Sequence, residues 1–116
     1  VSDFEMESLR LIAKKTGTFN AQDYIGITDY NLLQNYPNPF NPTTSIRYQI
    51  PNSGRVNLKL FDILGNEIAV LVDKEQTPGE YNHQLNSDEL GLTSGVYFYQ
   101  LKSGSYTKTM KMILVK

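Results

Sequence analysis

The chain has 116 residues, with 11 Lys and Arg against 12 Asp and Glu for a net charge of −1, and 40% of it is hydrophobic. These figures describe one globular domain rather than a disordered tail, and the near-neutral charge excludes the basic footprint of a nucleic-acid binder. The absence of cysteine excludes disulfides and thiolate sites, the lone histidine, His83, excludes any site needing two, and no apolar run approaches the ~18 residues of a membrane span.

Ser2 and Glu5 stand in capping-box spacing. Met6, Leu9 and Ala13 follow at helical spacing, with Asp3, Glu5 and Glu7 before them and Lys14 and Lys15 after, and Gly17 as a C-terminal cap. This predicts a short amphipathic helix over 3–15; a strand through Leu9–Ala13 is the alternative. The first fifteen residues lack the apolar segment of a secretory signal, and the first residue is Val. The chain therefore reads as a fragment, with room for an export signal upstream. Residues 16–35 read as linker with one short strand near Tyr30–Leu33. The organisation expected is a linker or tail of an upstream domain over 1–31, then a domain over 32–116.

Tyr36-Pro37-Asn38-Pro39-Phe40-Asn41-Pro42 cannot be a central strand, because each proline lacks an N–H. It is expected to be a rigid lead-in, with Tyr36 and Phe40 anchored on the core and Asn38 and Asn41 bonding nearby backbone. Ile46, Tyr48 and Ile50 then alternate with Arg47 and Gln49, and Val56, Leu58 and Leu60 with Asn57 and Lys59. Both are half-buried strands, separated by Pro51-Asn52-Ser53-Gly54. Gly65-Asn66 turns into Glu67–Val72, whose apolar residues on both faces predict a central strand. A weaker strand follows over Glu80–Leu85, then the aromatic Val96–Lys102, a hairpin turn at Ser103-Gly104, and Tyr106–Val115. Turn signals between strands and no helical period predict an all-β, antiparallel Greek-key β-sandwich of about seven strands, immunoglobulin-like in type; a small closed barrel is the alternative.

Four segments in this order resemble one family. They are Asn35-Tyr36-Pro37-Asn38-Pro39-Phe40-Asn41-Pro42-Thr43-Thr44, the run from Val56 to Glu67 with Phe61-Asp62-Ile63-Leu64-Gly65 at its turn, Leu92-Thr93-Ser94-Gly95-Val96-Tyr97-Phe98-Tyr99, and Lys111-Met112-Ile113-Leu114-Val115-Lys116. Together they are similar to the C-terminal sorting domain of the type IX (Por) secretion system of Bacteroidetes-type proteins, type A branch. Thr93 and Ser94 stand where that family often has Pro and Ala. The resemblance implies a β-domain that carries an upstream cargo through the periplasm and across the outer membrane to the cell surface. It implies as partners an outer-membrane β-barrel translocon, shuttle proteins and a cell-surface sorting peptidase that cuts before Tyr36. Tyr36, Pro37, Asn38, Pro39, Phe40, Asn41, Pro42, Asp62 and Gly65 are then structural motif residues.

A terminal strand with an open edge is a template for strand addition. The expected recognition surface is therefore that strand with the hairpin beside it: Gly95, Val96, Tyr97, Lys111, Ile113, Leu114, Val115 and Lys116.

Plainer readings weigh against other chemistry. Tyr97, Phe98 and Tyr99 suit cross-strand packing, and Met110 and Met112 suit core. His83 is a strand residue, and Lys108, Lys111 and Lys116 guard an edge. Asp62, Asp73, Glu75, Asp88 and Glu89 sit near turns without EF-hand spacing, and the proline run suits a packed lead-in better than a ligand for a proline-binding domain. No Gly-x-Ser-x-Gly, phosphate loop or histidine pair is present, so no enzyme, cofactor or metal site is expected. A carbohydrate-binding or adhesion module using Tyr24, Tyr30, Tyr81 and Tyr106 is the rival function; a structural spacer is another.

Overall fold

The computed structural model describes residues 27–116; the helix predicted over 3–15 lies outside them. Seven strands follow in chain order: β1 Asn31–Leu32, β2 Thr43–Ile50, β3 Gly54–Phe61, β4 Glu67–Gln76, β5 Gly79–Asn86, β6 Gly95–Ser103 and β7 Tyr106–Leu114. They form a three-stranded sheet, β1-β2-β5, and a four-stranded sheet, β4-β3-β6-β7, antiparallel throughout. The chain crosses between sheets after β2, β4 and β5, so β2 neighbours β5 and β3 neighbours β6. That is the connectivity expected of a Greek-key sandwich.

Alternation dictates the packing. Ile46, Tyr48 and Ile50 of β2 face Val56, Leu58 and Leu60 of β3, Tyr97, Tyr99 and Leu101 of β6, and Met112 and Leu114 of β7 across one continuous core. Phe40, Leu32, Leu85 and Leu92 close its margins. The aromatic run divides as a pleat requires, with Tyr97 and Tyr99 inward and Phe98 outward opposite Phe61.

Two expectations are corrected. Glu67–Gln76 is the edge of its sheet, not a central strand. Its apolar residues fall on both faces because the register shifts twice, between Leu58 and Lys59 and between Leu60 and Phe61 on its partner, which leaves Ile68 and Val70 exposed. The final hairpin turns one residue later than predicted, at Gly104-Ser105, with Gly104 at φ 58° and Ser103 paired to Tyr106.

Strand direction gives the sandwich two distinct ends. The near end holds residues 27–30 and the turns at 51–53, 77–78 and 104–105. Asp29 C=O accepts from Gln49 Nε2, and the Tyr30 ring stacks on Tyr106 at 4.9 Å. The far end holds the lead-in 36–42, the β3–β4 turn 62–66, the β5–β6 connection 87–94 and Val115-Lys116.

Candidate recognition surface

The lead-in is held at both of its ends by buried polar groups. Asn35 and Thr44 are 2% and 1% exposed. Asn35 Nδ2 donates to Thr44 Oγ1 and to Pro37 C=O, and Thr44 Oγ1 donates to the same carbonyl. Tyr99 reaches the segment from β6: its hydroxyl accepts from Asn35 N–H (2.8 Å) and donates to Leu33 C=O (2.7 Å). Burial pushes this phenol up to about 12, partly opposed by the Asn35 N–H, so Tyr99 stays a donor at any physiological pH. Phe40 fills the core at 2% exposure, as expected. Tyr36 does not: it is 77% exposed, because its backbone pairs with Ser45 and turns the ring to solvent.

Past Tyr36 the segment lies along the outer edge of β7. Ile113 N–H donates to Asn38 Oδ1 (2.9 Å), Phe40 N–H to Ile113 C=O (3.0 Å) and Val115 N–H to Phe40 C=O (3.1 Å). Gln34 Nε2 donates to Lys111 C=O (2.8 Å). The expected open edge on the terminal strand is therefore taken at its far half by this chain's own lead-in. Asn38 bonds backbone 75 residues away rather than nearby as expected; Asn41 is exposed.

The β3–β4 turn is organised by one carboxylate. Asp62 Oδ1 accepts from Leu64 N–H and Asn66 N–H, both at 2.9 Å, and Oδ2 from Asn66 Nδ2. Gly65 takes φ 87°, a conformation costly for a side chain. The Asn66 N–H above all holds the Asp62 carboxyl below its ordinary range. The turn fixed in this way presents Ile63 and Leu64 at 65% and 83% exposure.

The expected recognition residues divide. Tyr97 and Leu114 are buried and belong to the core, a consequence of the pleat. Val96 and Ile113 pair on the outer face of the four-stranded sheet, beside Phe98 and Lys111. Gly95, Val115 and Lys116 lie at the far end; Lys116 N–H donates to Ser94 Oγ, and its ammonium sits 3.3 Å from Asp88. The four sequence segments thus meet at one end, linked through Phe40–Leu114, Gly95–Leu114 and Phe61–Phe98. Among the described residues, six of the seven exposed large hydrophobics (Tyr36, Ile63, Leu64, Ile68, Leu90 and Val115) are at that end. Tyr36 and the turn apex escaped the sequence reading as contact residues. A proline-rich segment has no period from which to read facing, and apolar residues in a turn look like misplaced core.

Other features lie away from the far end. A cleft of about 220 Å³ along the three-stranded sheet is lined by Leu33, Arg47, Tyr48, Gln49, Glu80, Tyr81 and Asn82. The described tyrosines proposed for a sugar platform are engaged internally, Tyr30 on Tyr106 and Tyr81 on Tyr48. Among the described residues no cluster of three His, Cys, Asp or Glu is placed to hold a metal. Half-burial alone lowers the basicity of His83.

The sequence model of the secretion system C-terminal sorting domain matches residues 34–116, more than two-thirds of the chain. The chain belongs to that family, and its domain is a C-terminal sorting signal of type IX secretion. It engages that system and is exported toward the cell surface or extracellular space. No curated protein matches the chain.

Proposed function

We propose that the far end of the sandwich is the surface the export machinery reads, and that the domain acts as a folded address with no chemistry of its own. The observation that carries this is the convergence of four segments, spread over eighty residues, on one end that also gathers most of the exposed apolar side chains. Residues 27–30 lie at the opposite end of the sandwich from this surface. In this reading the domain crosses the periplasm, meets a shuttle protein and an outer-membrane β-barrel translocon through its far end, and is cut from its cargo by a surface peptidase in the segment before Tyr36.

The test is a secreted reporter fused ahead of the whole chain in a host with this export system. Leu64→Asp with Ile63→Asp is expected to hold the reporter inside the outer membrane, while the melting temperature of the purified chain stays within a few degrees, because neither side chain packs on the core. Asn82→Asp on the opposite sheet is expected to export normally. Normal surface delivery of the double variant would refute the far end as the surface that is read.

A further inference from the structure

Residues 30–40 run beside β7 in the same direction along its whole length. Tyr30 stacks on Tyr106, Asn31 Oδ1 accepts from Lys108 Nζ at 3.3 Å, Gln34 bonds Lys111, and Asn38 and Phe40 bond Ile113 and Val115. Phe40 and Leu114 form a parallel bridge. On its other side the same segment is bonded to the three-stranded sheet, through β1–β2, Leu33 N–H to Arg47 C=O, and Tyr36 with Ser45. It therefore seams the two sheets together. Residues 27–30 lie at the near end and Lys116 at the far end, about 30 Å apart at the ordinary rise of a nine-residue strand.

Any pull between cargo and C-terminus drags residues 30–40 and 106–116 past each other lengthwise. All their cross-bonds then carry load together and must break nearly at once. A pull across the strands would open the same bonds one after another. We propose that this parallel seam is a tension clamp, which keeps the sorting domain folded while the machinery holds its far end and the cargo lags behind. The proposal rests on the far end being the part that is gripped, and it explains why the lead-in is bonded to the last strand rather than only to its sequence neighbours.

Single-molecule pulling of the full 116-residue chain tests it. Handles at residues 1 and 116 load the seam lengthwise; handles at residue 1 and at Ser105→Cys, both at the near end, peel it. Forced unfolding follows the unfolding barrier, so the end-to-end geometry is expected to need the higher force. Gln34→Ala with Asn38→Ala removes two lateral bonds, and with them the bond from Gln34 Nε2 to Asn35 Oδ1, without emptying the apolar core. It is expected to speed unfolding at fixed load roughly five- to tenfold end to end and to leave the peeling geometry unchanged. Equal forces in the two geometries, or equal acceleration in both, would overturn the clamp. Because this measurement needs no export system, it can fail while Ile63 and Leu64 still prove necessary for delivery, and the reverse.

Discussion

Asp62 accepts from Asn66 N–H, Leu64 N–H and the Asn66 amide, and each bond favours the ionised carboxylate. Its acidity is therefore greater in the folded chain than in the unfolded one. The stability this contributes is complete above the unfolded carboxylate range and disappears as pH falls through the lowered folded value. Asp62→Ala is expected to lower the melting temperature at pH 7, and the gap between variant and parent to close progressively on acidification below the usual aspartate range. A gap independent of pH, measured by thermal unfolding in a buffer series, would show that the turn does not depend on the charge. The turn was legible from Gly65-Asn66; its exposed apex was not. Hydrophobicity read along a chain predicts burial, and only the bonding of Asp62 reveals that Ile63 and Leu64 are held outward.

At the level of the strands, alternation in β2 and β3 was enough to place their core residues, because each has one apolar face. β4 misled for the opposite reason. Two register shifts move Ile68 and Val70 out of the alternation, so apolar character on both faces marks a bulged edge rather than a doubly covered strand. The lead-in could be read as rigid, but not as the cover of the β7 edge, since its partner lies some 75 residues away. Phe40→Ala tests that cover. Emptying a fully buried aromatic site is expected to cost about 3–5 kcal/mol in urea unfolding. It also loosens the backbone that occupies Ile113 and Val115, and an uncovered edge pairs with its like. At a temperature where the variant remains folded, size-exclusion chromatography is expected to show concentration-dependent dimers that the parent chain lacks.

Across the whole molecule, the crossovers after β2, β4 and β5 bring the four segments to one end. Nothing in local sequence encodes that meeting, which comes from chain direction and sheet order together. The same view moves the functional boundary of the fold. The family match begins at residue 34, yet Leu32 is 1% exposed, and Leu33 and Asn35 satisfy the Tyr99 hydroxyl. A chain beginning at Asn35 loses the Leu32 side chain and leaves that buried hydroxyl short of an acceptor. Relative to a chain beginning at Ile27, it is expected to be at least about 3 kcal/mol less stable by urea unfolding. Equal stability of the two would place β1 outside the cooperative unit.

The placement of residues 27–30 at the turn end has a final consequence. A label attached at Ile27 itself would stand about a strand's length from Leu64 and Val115 and leave those side chains uncovered.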